Sequence, residues 1–179
     1  MKLLGVVLAG GESRRFGSDK ARALLDGVAL AEHAVATLAP FVEDVVESGD
    51  AGIHDQPAPG LGPLGGICGA LHHAAALGYD AIVTIGCDTP FVPAETLAAL
   101  ATAPGAAFVA YTPIIGRWPV VLAASLERHL HDNPDRSMRR WCASIGATPI
   151  DAPPIANINR PADLAALSLS DRGRGRPPR

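Results

Sequence analysis

The chain has 179 residues, of which 48% are hydrophobic, and 15 Lys and Arg stand against 18 Asp and Glu for a formal net charge of -3. That length is one domain's worth and can bury a sizeable core. The charge excludes a basic field for holding a polynucleotide by its backbone, and no apolar run is long enough to span a bilayer, so neither nucleic acid nor membrane is an expected partner.

Leu3 to Ala9 is a short, nearly continuous apolar run ended by Gly10-Gly11, which suits a parallel strand covered on both faces and not an export signal. Leu30, Ala34, Val35 and Leu38 then share one helical face before Pro40, and Val42, Val45 and Val46 suggest the next strand. Ile67, Ala70, Leu71, Ala74 and Ala75 have the spacing of a helix packed on a sheet, closed by Gly78. Ala81 to Ile85 reads as a second buried strand, ended by Gly86-Cys87-Asp88-Thr89-Pro90, and Glu95 to Leu100 as a helix behind Pro93. Ala106 to Ala110 and Pro119 to Leu122 are strand candidates, with Trp118 in a loop read as part of an acceptor site. Met138, Trp141, Cys142 and Ile145 have helical spacing, Thr148 to Ile150 is a last strand, and Pro161 to Leu167 a closing helix.

This order predicts an α/β fold, a three-layer Rossmann-like domain with a mainly parallel sheet, whose ligand lies beyond the carboxyl ends of the strands. Residues 1–168 form that domain. Residues 169–179, basic and rich in Gly and Pro with nothing apolar to bury, read as a disordered tail, with contact to an anionic partner as the alternative. Cys68, Cys87 and Cys142 are odd in number and scattered, so they read as reduced, mostly buried thiols of a cytoplasmic protein.

The chemistry concentrates after the first strand. In Leu8-Ala9-Gly10-Gly11-Glu12-Ser13-Arg14-Arg15-Phe16-Gly17-Ser18-Asp19-Lys20, two adjacent glycines let backbone N–H groups approach an anion, and Arg14, Arg15 and Lys20 offer charge to a polyphosphate. The spacing is neither a Walker A loop nor a Rossmann fingerprint. Ser13 has no His and Asp partners in order for nucleophilic catalysis. Asp88 emerges at a strand end, where it is the best ligand for magnesium, although spacing alone leaves a turn former or helix cap open. The six histidines show no metal spacing. Arg117, Arg139 and Arg140 are read as solvated charge, with an acceptor phosphate as the alternative.

The string from Leu8 to Lys20 resembles the L-A-G-G-x-S-x-R-M-G-x-D-K signature of the molybdenum cofactor guanylyltransferases, with Phe16 for the usual Met. Two further blocks carry the resemblance in order: Asp55 with the Gly60-Leu61-Gly62-Pro63-Leu64-Gly65-Gly66 loop, and the Cys87-Asp88-Thr89-Pro90 strand end. Asn157-Ile158-Asn159-Arg160-Pro161-Ala162-Asp163-Leu164 is similar to the family's N-x-N-T-P-E-D-L, where Arg160 replaces Thr; Asn157 and Asn159 read either as caps or as active-site contacts. The segment from Val46 to Asp55 is shorter than the family pattern, and Ser48 stands where an Asn nucleotide contact is common.

The resemblance implies transfer of GMP from GTP to molybdenum-bound molybdopterin, with release of pyrophosphate. It implies Mg2+ on Asp88, catalytic roles for Arg15, Lys20 and Asp88, and nucleotide contacts from Leu8, Ala9, Gly10, Gly11, Ser13, Lys20, Asp55 and Asp88. GTP and molybdopterin are the expected partners, with molybdoenzyme maturation proteins as further candidates. A molybdopterin cytidylyltransferase or another small-molecule nucleotidyltransferase is the alternative enzyme, and a nucleotide-binding maturation factor without catalysis the alternative of another class.

Overall fold

The computed structural model describes residues 1–9, 20–49, 52–160 and 162–164. Among these residues the strands are β1 (Leu3–Leu8), β2 (Leu24–Leu25), β3 (Val28–Ala29), β4 (Asp44–Ser48), β5 (Ala81–Gly86), β6 (Ala107–Val109), β7 (Gly116–Pro119) and β8 (Thr148–Ile150). The α-helices are α1 (Leu30–Leu38), α2 (Pro63–Ala76), α3 (Ala94–Thr102), α4 (Ala123–Asp132) and α5 (Met138–Ser144). Six strands form one sheet in the order β4-β1-β5-β7-β6-β8. β1 runs parallel to β4 and β5, and β6 parallel to β8, while β7 pairs antiparallel with both neighbours. β2 and β3 make a separate hairpin about Asp26 and Gly27, both at positive φ, as a tight two-residue turn requires.

The apolar run of β1 divides by strand alternation. Leu4, Val6 and Leu8 face a cluster with Leu64, Ile67 and Leu71 of α2, Leu126 of α4 and Trp141 of α5. Leu3 and Val7 face the other cluster, with Ala34 and Leu38 of α1 and Leu97 and Leu100 of α3. A sheet covered on both faces needs apolar residues at every position of its central strands, so β1 and β5 are buried throughout. The expected three layers are present.

Pro119 to Leu122 is not the strand expected from its apolar content. The ladder runs instead over Gly116–Pro119, with Ile82 opposite Trp118 and Val83 opposite Arg117, and Val120–Leu122 is a 3-10 turn. Pro119 has no N–H to donate, which suits the end of a strand and not its interior. Trp118 is therefore fully buried core, its Nε1 donating to Thr84 Oγ1 at 2.9 Å, and is no part of an acceptor loop. Arg117 is not solvated: only 2% exposed, it donates from Nη1 to Gly105 O at 2.8 Å. Of the expected closing helix, residues 162–164 are helical; the rest, like the tail from 169 to 179, lies outside the described residues.

Candidate active site

Register places three strand ends side by side, because Leu8 of β1 lies opposite Ser48 of β4 on one flank and Gly86 of β5 on the other. Pairing continues past the strands: Ala9 N–H donates to Ser48 O at 2.9 Å and Cys87 N–H to Leu8 O at 3.1 Å. The chain leaves β1 toward β4 and leaves β5 in the opposite direction, toward the β7, β6 and β8 side. Such a reversal opens a crevice at the carboxyl edge, here between Leu8 and Gly86.

Asp88 stands at this crevice. Its turn is tied by Thr89, whose N–H and hydroxyl both donate to Gly86 O, at 3.0 and 3.2 Å. The carboxylate folds back over Gly86 so closely that a Cβ there would meet Oδ1 at 2.3 Å, so a larger residue would displace it. From the other side, Ile158 N–H donates to Asp88 O at 2.8 Å.

Lys20 meets that carboxylate. Its Nζ lies 3.4 Å from Asp88 Oδ2 and donates to Asn159 Oδ1 at 3.0 Å. The ammonium and carboxylate side chains are 14% and 25% exposed, sheltered enough for a meaningful field and open enough to reach a ligand. Asn159 uses its side chain on Lys20 and not as a helix cap; the capping is done by Asp163, whose Oδ2 accepts from Asn159 N–H and Arg160 N–H, each at 2.8 Å. Sequence reasoning gave Asp163 no role, although an acidic residue three positions after Arg160 is the spacing of a capping box. Asn157 is exposed.

On the β4 side, Asp55 lies against the first turn of α2. A Cβ on Gly65 would meet Asp55 Oδ2 at 3.1 Å, and one on Gly66 would meet Ser48 Oγ at 2.7 Å and Leu8 Cδ2 at 3.3 Å. Gln56 N–H donates to Gly65 O at 3.1 Å, fastening the loop to the helix. The glycines thus let Asp55 and Ser48 come within reach of the β1 terminus. Gly10, Gly11, Ser13, Arg14 and Arg15 lie outside the described residues, between Ala9 at the crevice and Lys20 across from Asp88. Arg139 and Arg140 are exposed; Arg139 donates to Ala110 O at 2.9 Å and Arg140 pairs with Asp135 at 3.0 Å.

A family model described as the MobA-like NTP transferase domain matches residues 5–148. The chain belongs to that family. This MobA-like NTP transferase is 36% identical to a protein of Rhizobium leguminosarum bv. trifolii named molybdenum cofactor guanylyltransferase, over 92% of the chain and 90% of the relative. A Rhodobacter capsulatus protein of the same name is 38% identical, over 92% and 94%. The solved structure of molybdopterin-guanine dinucleotide biosynthesis protein A from Archaeoglobus fulgidus shares the fold at a TM-score of 0.67 and 20% identity, over 95% of this chain and 99% of that one. So does the 2-C-methyl-D-erythritol 4-phosphate cytidylyltransferase of Thermus thermophilus, with a TM-score of 0.67 at 14% identity, over 96% and 98%. The MobA-like NTP transferase has a nucleotidyltransferase fold with its crevice where that fold's ligands are expected. None of its described helices is long and apolar enough to cross a membrane.

Proposed function

We propose that this chain transfers GMP from GTP to the terminal phosphate of molybdenum-bound molybdopterin, releasing pyrophosphate. The observation that carries the reading is the Lys20–Asp88 pair at the carboxyl edge of the sheet, in a chain whose relatives along nine-tenths of its length bear the name molybdenum cofactor guanylyltransferase.

The acceptor's phosphate monoester has its second pKa near about 6 and is largely dianionic at neutral pH, so its oxygen needs no general base. That oxygen forms a bond to the α-phosphorus while the bond from the α-phosphorus to the bridging oxygen breaks, and the electron pair leaves with pyrophosphate. What the reaction needs is charge placed where the transition state and leaving group develop it. Lys20 supplies one cation from the crevice wall, and Arg15 and the Gly10 and Gly11 amides supply the remainder from the segment that follows β1 in the sequence. Leu8, Ala9 and Ser13 line the nucleotide, and Asp55 contacts the guanine nucleotide beside α2.

Asp88 is the residue to hold Mg2+. A single hard carboxylate at a strand end fits an ion that completes its shell with phosphate and water oxygens, and among the described residues no three His, Cys, Asp or Glu side chains cluster as a protein cage. When bound, the ion neutralises developing phosphate charge. Three buried cysteines without disulfides suit the reducing cytoplasm in which we place the reaction.

The test is calorimetric binding of GTP and CTP with magnesium, followed by pyrophosphate release in the presence of molybdopterin. Selective GTP binding and release that depends on the acceptor are expected. A preference for CTP overturns the guanylyl assignment, and binding without release overturns catalysis.

A further inference from the structure

The segment that brings Asn159 to Lys20 is anchored unevenly. Ile158 is fully buried with Leu25 and Leu30, and its N–H is held by Asp88 O. Beyond it, Asn159 and Arg160 are exposed and lie between two apolar anchors, Ile158 and Leu164, which packs against the same cluster. Their own main chain is tied by one oxygen. Asp163 Oδ2 accepts both main-chain N–H groups at 2.8 Å, and Asp163 N–H donates back to Arg160 O at 3.0 Å. The two N–H donors, first Asn159 and then Arg160, hold the Asp163 carboxyl below its ordinary value of 3.8, so it is ionised across the neutral range.

The capping geometry frees a side chain. An Asn at the start of a helix ordinarily turns its amide oxygen onto the helix's first N–H groups. Here a carboxylate from within the helix satisfies the entry N–H groups, and the Asn159 amide oxygen is left to accept from Lys20. The ammonium therefore has two oxygen contacts that fix it on either side, Asp88 at 3.4 Å and Asn159 at 3.0 Å. A lysine on a four-carbon stem held by one contact alone has several rotamers open to it.

We infer that Asp163 is a positioning residue for catalysis: its carboxylate fixes the Asn159–Arg160 turn, which keeps the Asn159 amide on the Lys20 ammonium beside Asp88. This rests on the reading above, that Lys20 acts on the phosphates. Loss of Asp163 releases Asn159, and Lys20 is then no longer held where charge develops. Because GTP keeps its other contacts, the loss falls on kcat and not on nucleotide affinity.

The experiment is a double-mutant cycle in the full chain, with pyrophosphate release and thermal unfolding measured for wild type, Lys20→Ala, Asn159→Ala, Asp163→Ala, Asp163→Asn and the Asn159→Ala, Asp163→Ala pair. Asp163→Ala and Asn159→Ala are each expected to lower kcat about tenfold with KM for GTP changed less than about twofold, and the pair to fall no more than about twofold below either single variant. Asp163→Asn keeps an acceptor oxygen and is expected to recover at least about half of the loss; it carries the same comparison should Asp163→Ala fail to fold. Wild-type kcat in Asp163→Ala, or losses that multiply to about a hundredfold in the pair, overturns the inference. If Lys20→Ala is slow while the losses multiply, only the inference falls. Full turnover in Lys20→Ala overturns the functional reading and the inference together.

Discussion

Lys20 Nζ and Asp88 Oδ2 stand 3.4 Å apart across the crevice, Lys20 from the chain after β1 and Asp88 from the turn that ends β5. Partly exposed ion pairs of this kind contribute about 0–1 kcal/mol to stability. The pair therefore has little structural work to do, and under the proposed function its field acts on the polyphosphate. Asp88→Asn, which keeps the shape and removes the charge, is expected to lower kcat about 10²-fold or more while Tm moves by less than about 4 °C. Pyrophosphate-release kinetics with thermal unfolding checks both halves.

Gly69 makes the opposite case. A Cβ there would lie 2.2 Å from His54 O, a backbone atom that cannot swing aside. Gly69→Ala must push the loop carrying Asp55 away from α2, and overpacking of this size costs about 1–3 kcal/mol. Urea unfolding is expected to show that loss, and calorimetry to show weaker GTP binding, because Asp55 moves with its neighbour.

Thr84 tests the core without touching the site. Its hydroxyl donates to Ile114 O at 2.6 Å and accepts from Trp118 Nε1 at 2.9 Å. Thr84→Val keeps the volume and strands the indole N–H in the interior, at a cost of about 1–3 kcal/mol. The midpoint of urea unfolding is expected to fall, with kcat and KM unchanged; a change in KM for the acceptor would return Trp118 to the site.

Burial pushes the Cys68 thiol up to about 12, with Glu127 adding to the effect, and pushes Cys142 up to about 11 against the smaller opposing pull of a backbone hydrogen bond and Arg139. Both thiols stay protonated in the folded chain while an unfolded thiol ionises above its ordinary value of 9.0. Above that pH the unfolded state binds fewer protons than the folded state, so stability falls as pH rises, by up to about 1.4 kcal/mol per unit for each thiol, and is untouched below it. Denaturant titrations from pH 7 to pH 10 are expected to show the decline, with a shallower slope in the Cys68→Ala, Cys142→Ala variant.

What could be read from the sequence was local. β1, α2 and β5 announce themselves because each buries its own pattern, and Asp88 lies two residues past the end of β5. α4 is not legible in the sequence, since its buried face is only Ala123, Leu126 and Leu130 among charged and polar neighbours. Arg117 and Trp118 look like exposed loop residues beside a proline until Gly105 O and Thr84 Oγ1, far off in sequence, are seen to receive them. The tie between Asn159 and Lys20 spans 139 positions. Capping and ligand contact ask for the same residue type at 159, and only the location of Asp163 tells them apart.

That span also orders events in time. Synthesis runs from the amino terminus, and early segments fold while later ones are still being made. β1, β4 and β5 can pair, and Asp88 can take its turn, long before Ile158 and Asn159 leave the ribosome. A nascent chain thus has the sheet edge but not the clamp on its lysine until its late segment has arrived and buried Ile158 against Leu25 and Leu30.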